Sequence, residues 1–442
     1  MADYQKFFEK AKEEQLEALE LSITKSRHFS FSLFRHEIDS YQIADSFLLE
    51  ARGIYQGKIG YARSEKLDRS TAEYIIHHIK ENASLSTSED APEIFAGSKE
   101  YHKKNIYSRK LANMSADDKI AIIKELDAKI REKSDKITEV ETFFEESESD
   151  FTLINSYGLK LTSKNNYAVV YASAIANDES GETKNGMSFK ILEDLNKLDT
   201  EEVSSKVVEE TLSQFGSRPC KSGKYRCVFG PSAVSSLLSA YLANLSSEQV
   251  QKNSSLLAGK KNERIASAKL TVSENPLQKN VFFRYFDDEG VATSNKTLIR
   301  NGILKTYLYN LKTAKKDDVE STGNGYKGRG GQIGINMVNV AIKPGHYNEK
   351  QLFEKAGDGI YIDELSGLHA GLNAQSGNFS LLSKGFLIEN GKKGRPVSLI
   401  TSAGNLFDVF NQIIAVGNNV TMRPNSYQVP SILVKEISIS GE

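Results

Sequence analysis

The chain of 442 residues is 39% hydrophobic and 26% charged, the balance of a soluble globular protein too long for one ordinary core, so two domains are expected. Its 57 Lys and Arg stand against 58 Asp and Glu, and a net charge of -1 excludes a general pull toward nucleic acid or acidic lipid. The two cysteines, Cys220 and Cys227, form no CxxC pair and point to a reducing compartment rather than a disulfide framework. Residues 1–10 are charged and amphipathic, without the apolar core of a signal peptide, and no later stretch has the length and apolarity of a membrane helix. The expectation is a cytoplasmic protein with no membrane or nucleic-acid partner.

Residues 4–19 have the spacing of an amphipathic helix. Residues 19–34 then alternate with a period near two (Leu21, Ile23, Phe29, Phe31) and predict strands. Residues 40–62 continue this, punctuated by Gly53, Gly57 and Gly60. Ser70-Thr71-Ala72-Glu73 has the form of a capping box, and Ile75, Ile76 and Ile79 behind it predict a helix to about Asn82. Residues 83–113 are polar and weakly patterned, and read as a long surface loop. Ser115 caps the next helix, helped by Asp117 and Asp118, with Ile122, Ile123, Leu126 and Ile130 as its buried stripe. Strands are predicted at 137–144, 151–162 and 167–176, then a loop at 177–186. Asp199 or Thr200 caps a last helix carrying Val203 and Val207, which Gly216 ends and Pro219 keeps from resuming.

Residues 216–223 are therefore the expected linker between an N-terminal α+β domain (1–215) and a C-terminal domain (224–442). In the latter, residues 225–229 form a strand that feeds a helix over 230–244. Pro231 suits the first helical position. Val234, Leu237, Leu238, Tyr241, Leu242 and Leu245 make its apolar stripe, and its other side is small, with Ser232, Ser235, Ser239 and Ala243. It carries no charge between Pro231 and Ser247, so it can be buried on nearly all sides. It also carries no His, Glu, Asp or Cys, so it can neither bind a transition metal nor supply a general base.

An irregular tract follows at 246–264, then mostly strands. Residues 281–286 lead into Asp287-Asp288-Glu289-Gly290. Asn301-Gly302 and Asn390-Gly391 are hairpin signals. Further strands are expected at 338–342, 359–363 and 431–438. Helices are expected at 349–356, capped by Asn348, and at 405–416, with Leu406, Val409, Phe410 and Ile413 on one face. The fold class is α+β: N-terminal helices layered on a mixed or antiparallel sheet, and a large C-terminal antiparallel sheet or partial barrel around the buried helix.

Self-contained chemistry is scarce. Gly323-Asn-Gly325-Tyr-Lys-Gly328 fits G-x-G-x-x-G, but a strand rather than a helix is expected after it, so it reads as a flexible loop and not a nucleotide site. The carboxylates of Asp287, Asp288 and Glu289 suit a hard cation, although a turn between strands with solvated acids is the preferred reading. His369 stands alone in a Gly-flanked segment. His36 and the adjacent His77-His78 lack metal-ligand spacing, and no catalytic motif is present.

Several runs occur in order across residues 210–440: Phe286-Asp-Asp-Glu-Gly-Val-Ala-Thr293, Leu298 to Leu308, Ser321-Thr-Gly-Asn-Gly325, Ser376 to Gly391, Ile400-Thr-Ser-Ala-Gly-Asn405 and Val416-Gly-Asn418. On these motifs the C-terminal half resembles the TldD/PmbA family, once labelled modulators of DNA gyrase and now viewed as metallopeptidase subunits. The resemblance implies two branches. TldD-like chains carry His-Glu-x-x-x-His on the helix after the opening strand, with a C-terminal Cys as a further zinc ligand. Laid on this chain, the motif falls on Ser239, Ala240 and Asn244, and residues 419–442 contain no Cys. The chain is therefore similar to the PmbA branch, also called TldE, with no metal of its own and zinc expected in a TldD-like partner. The two chains of that arrangement enclose a chamber for unfolded peptide. Asp287, Asp288, Glu289, Gly290, His369, Gly404 and Asn405 are the candidate substrate or interface residues. The alternative is a peptide-binding or scaffolding homodimer without hydrolytic role. Direct gyrase or DNA binding rests on the old family label alone.

Overall fold

A computed structural model describes residues 4–87, 92–328 and 331–442. The N-terminal half is built on one antiparallel six-stranded sheet, ordered β3-β2-β1-β4-β5-β6. The strands are β1 (Ala18–Phe34), β2 (Glu37–Tyr55), β3 (Lys58–Ser64), β4 (Ile137–Asn155), β5 (Lys160–Asn177) and β6 (Thr183–Leu192). They run further than their apolar alternation does: the polar tract of β4 from Glu145 to Asp150 still pairs with both β1 and β5. Gly53 and Gly60 face each other inside strands rather than punctuating them. A Cβ at Gly60 would lie 2.0 Å from the Ile79 carbonyl oxygen, so the helix Thr71–Leu85 rests on bare backbone there. Only Gly57, at φ +68, makes a turn.

Odd-numbered side chains of β1 share one face of the sheet. Leu19, Leu21 and Ile23 pack beneath the helices Gln5–Glu13 and Thr71–Leu85. Phe29, Phe31 and Leu33 pack beneath Ala116–Glu132 and Thr200–Leu212. Lys25 and Arg27, between these two helical layers, stay exposed.

Several expectations for this half change. The first helix stops at Glu13, and Gln15 turns the chain at φ 60. Ser70 has helical dihedrals and caps nothing. Asp68 instead accepts from the Ser70 amide, the Ser70 hydroxyl and the Thr71 hydroxyl. The tract 83–113 is not all loop: Thr71–Leu85 enters it, Arg109–Asn113 is helical behind its Ser108 cap, and Ile94 and Leu111 are buried. Residues 88–91 of that tract lie outside the described residues. Ser115 and Asp199 cap their helices as expected, accepting from the Asp118 and Glu202 amides.

In the C-terminal half, β7 (Gly223–Phe229) feeds the helix Pro231–Leu242. The strands Lys392–Asn405, Asn378–Glu389, Gly359–Ser366, β7 and Ile432–Ser440 pair in that order, and the last pairs back with the first. The expected partial barrel is thus a closed five-stranded one, with a parallel pair between β7 and Gly359–Ser366. Both Asn-Gly turns form, with Asn301 and Gly302 at φ 48 and 79 and Asn390 and Gly391 at φ 50 and 73. The helix sits in the largest apolar cluster of this half, between the barrel and a second sheet that includes Val272–Glu274 and Val340–Ile342.

Four readings of this half are corrected. Residues 281–286 are not a strand. Their aromatics Phe283, Tyr285 and Phe286 wedge against Leu153 and Leu161 of the N-terminal sheet. The helix expected at 405–416 is divided into Leu406–Asn411 and a strand Ile413–Val416, because the latter gains ladder partners on Ile432–Ser440. The glycine-rich run is no open loop: Gly325–Lys327 pairs with Ile333–Ile335 in a hairpin. The tract 246–264 contains a short helix, Ser247–Gln251.

Candidate functional site

The serine side of Pro231–Leu242 is covered over its first two turns. The Arg423 guanidinium donates to the Ser232 hydroxyl at 3.0 Å, and Ser235 donates to the Asn425 side chain at 3.1 Å. Past Ser235 the cover ends. Ser239, Ala243 and Asn244 open onto a groove of about 490 Å³. Its other walls are Asn336 and Met337, Gln375, and Tyr427.

Each wall has a structural reason. The Asn244 amide donates to the Ala374 carbonyl at 3.1 Å, tying the helix end to the loop before Asn378–Glu389. That loop is folded by Asn373, which accepts from the Gln375 and Ser376 amides, and by Asn405, which donates to the Ser376 carbonyl at 2.9 Å. Asn405 also caps Leu406–Asn411. Opposite, the buried Asn324 amide donates to the Asn336 carbonyl at 2.8 Å and to the Glu274 carboxylate. Burial pushes the Tyr427 hydroxyl up to about 12, so it remains protonated.

The three helix positions do not fit a zinc ion. Ala240 has no donor atom, Ser239 offers a neutral hydroxyl, and the Asn244 nitrogen is spent on carbonyls. Among the described residues, no group of three or more His, Cys, Asp or Glu is placed to hold a metal. The groove's chemistry is that of hydrogen bonding and shape.

The acidic turn lies elsewhere and is the opposite of solvated. Asp287 is 0% and Glu289 3% exposed. One Asp287 oxygen accepts from the Glu289 and Val291 amides, the other from Gly325 at 2.8 Å. Asp288 takes Arg284 at 2.5 Å, and Glu289 takes the Leu311 amide and lies 3.6 Å from Arg52. Burial, and then the neighbouring Glu289, raises the Asp287 carboxyl well above the usual range. Gly290, at φ +84, has Leu159 where its Cβ would stand, and its carbonyl accepts from Tyr101. Glu289, through Arg52, and Gly290, through Tyr101 and Leu159, clasp the two halves of the chain together, and every carboxylate of the turn is engaged internally.

His369 is exposed on the short helix Leu368–Gly371. Gly404 pairs with Phe379 in the barrel. The structure therefore gathers Ser239, Asn244 and, through Ser376, Asn405 around one groove, and leaves the acidic turn apart from it. Asn336, Met337 and Gln375 were not singled out in the sequence, where they look like ordinary loop residues.

Comparison with known proteins agrees with this architecture. Residues 222–441 match the family description "PmbA/TldA metallopeptidase C-terminal domain", and residues 109–215 match "PmbA/TldA metallopeptidase central domain". The chain belongs to the TldD/PmbA family. Within this family it is 30% identical to a metalloprotease PmbA homolog of Buchnera aphidicola, over 66% of this chain and 64% of that protein. Against metalloprotease PmbA of Escherichia coli O157:H7 the identity is 30%, over 61% and 58%. The matched stretch thus spans less than two thirds of these curated relatives. A solved Thermotoga maritima structure described as a modulator of a DNA gyrase superposes with TM-score 0.90 at 30% identity, covering 99% of both chains. TldE from Thermococcus kodakarensis superposes with TM-score 0.90 at 26% identity, covering 98% of both. Among the described residues, no helix of this TldD/PmbA chain is long and apolar enough to cross a membrane.

Proposed function

We propose that this chain is the metal-free, PmbA/TldE-type subunit of a cytoplasmic two-component zinc peptidase, which completes the chamber around a TldD-like partner and holds unfolded peptide in it. One observation carries the reading. The helix that bears the zinc motif in TldD-like chains here bears Ser239, Ala240 and Asn244, and Ser239 and Asn244 open onto a groove that sets the amides of Asn336 and Gln375 and the Tyr427 hydroxyl among apolar Leu242, Ile335 and Met337, with one carboxylate, Glu248. Such groups hold an extended backbone without attacking it. A free sheet edge adds to this. β2 pairs with β3 only from Leu49 onward, so its stretch from Glu37 to Leu48 has an outer edge unpaired among the described residues, with Ile38, Tyr41 and Ile43 exposed on it.

Blocking the groove tests the assignment. Ala243 is exposed and lines it, so Ala243→Trp fills the space without disturbing the core. The expected result is an unchanged two-chain complex with unchanged zinc, and cleavage of unfolded peptide reduced about tenfold or more by lost positioning. Full activity of that complex would remove the groove from the proposal. A stable self-complex that binds peptide, with no effect on any zinc-bearing relative, would favour the scaffolding homodimer.

A further inference from the structure

We infer a second binding site, for acidic segments of an extended polypeptide, in the gap between the two helical layers on the N-terminal sheet. The gap is a groove of about 880 Å³. Lys25, Lys103, Lys104, Lys160 and Lys164 line it, against one acid among the described residues, Asp150. In a chain of net charge -1 this concentration of one sign is local, and a cleft focuses its field.

The floor follows from the ladder. Ile23 lies across from Thr152, and Thr152 from Thr162. In the next rows Lys25 faces Asp150, which faces Lys164, and Ile154 faces Lys160. The result is an apolar and hydroxyl strip with ammonium groups at both ends. Three lysines are committed: Lys103 to the Thr162 hydroxyl, Lys104 to the Leu277 carbonyl and Lys164 to Glu148. Lys25 and Lys160 are exposed and their ammonium groups carry no hydrogen bond or ion pair among the described residues, even though Asp150 stands opposite Lys25. Two unpaired ammoniums flanking an apolar strip suit carboxylates spaced along an extended chain, with aliphatic carbons on Ile23 and Ile154.

A nucleic acid fits less well. Among the described residues no arginine lines the groove to fork a phosphate, and of its aromatics Tyr285 is buried against Phe286 while Tyr4 and Phe8 are half-buried against the helical core. The inference rests on the reading of this chain as a holder of unfolded peptide, and names the charge of that peptide.

Binding to the chain alone, without any partner, tests it by fluorescence anisotropy. The probes are a short labelled unstructured peptide of Glu, Ser and Gly, its isomer with Lys for Glu, and a single-stranded oligonucleotide of matched charge. The acidic peptide is expected to bind about tenfold or more tighter than either, weakening as salt rises. Lys25→Glu with Lys160→Glu should cost about a further tenfold, and Lys25→Gln with Lys160→Gln a smaller factor in the same direction. The glutamine pair removes no contact of the fold and should leave the melting curve unchanged, whereas Glu at position 25 faces Asp150 and should lower it slightly. Equal binding of the two peptides overturns the charge assignment and leaves peptide holding intact. Tighter binding of the oligonucleotide, or indifference to charge reversal, overturns the site. Absence of any affinity for the acidic peptide, in a chain whose two-chain complex still cleaves unfolded peptide, overturns the groove alone.

Discussion

Replacing Arg52 with alanine should lower the unfolding free energy by about 3–5 kcal/mol, because it strands two buried carboxylates. Arg52 lies inside the chain between Glu20, which it grips with two nitrogens at 2.7 and 3.2 Å, and Glu289, at 3.6 Å. Burial alone would lower the pKa of the guanidinium. Glu20 and Glu289 outweigh that and hold it charged. Without it, Glu289 faces Glu20 across a dry contact while still accepting from the Leu311 amide. The damage should centre where the two halves meet, since Glu20 and Arg52 belong to the N-terminal sheet and Glu289 to the acidic clasp. Adding Glu20→Gln should recover part of the loss by removing one stranded charge. Urea unfolding of the three proteins checks this. A loss below about 1 kcal/mol for Arg52→Ala would mean that the contact is wet and the clasp less buried than described.

Tyr241→Ala should cost about 3–5 kcal/mol, the range for emptying an aromatic site in a packed core. Its ring is fully buried, with centroids 4.6 Å from Phe410 and 5.2 Å from Phe407. Its hydroxyl donates to the Ile265 carbonyl at 2.7 Å. Tyr241→Phe separates the two contributions and should cost about 1 kcal/mol, the value of one net hydrogen bond. Phe407 lies on the helix that Asn405 caps, and Asn405 holds the groove wall through Ser376. The alanine variant should therefore also loosen peptide binding at the groove, whereas the phenylalanine variant should not. Thermal melts and peptide anisotropy read the two effects independently.

What could be read in the sequence was what adjacent residues decide. Asn301-Gly302 and Asn390-Gly391 announced their hairpins because both residues of such a turn need positive φ. Asn348 announced its helix cap for an equally local reason, and the structure adds Gln351 to make it a capping box. The buried serine-faced helix followed from periodicity and the absence of charge. The failures arose where distant partners decide. Leu406, Val409, Phe410 and Ile413 keep helical spacing, yet Ile413–Val416 finds ladder partners on Ile432–Ser440 and leaves the helix. Phe283, Tyr285 and Phe286 are good strand formers, drawn out of any sheet by the apolar face of Leu153 and Leu161. Asp287 and Glu289 show their charge in the sequence but not Arg52 and the amides that let them be buried. Likewise Lys25, Lys103 and Lys160 form a patch only after β1 and β5 flank β4. At the candidate groove, Ser239 and Asn244 were reached through the family motif, whereas Asn336 and Gln375 emerged only with the packed loops.

A metal-free subunit whose contribution requires a zinc-bearing partner, as proposed for this chain, can be recognised by its metal content and its dependence on that partner. The most direct measurement is zinc content with unfolded-peptide cleavage, on the purified chain, on its nearest TldD-like relative and on the two together. No stoichiometric zinc and no cleavage are expected for this chain alone, and both in a complex that needs the two chains. Stoichiometric zinc or cleavage by this chain alone would contradict the proposal, as would a relative that cleaves equally well without it.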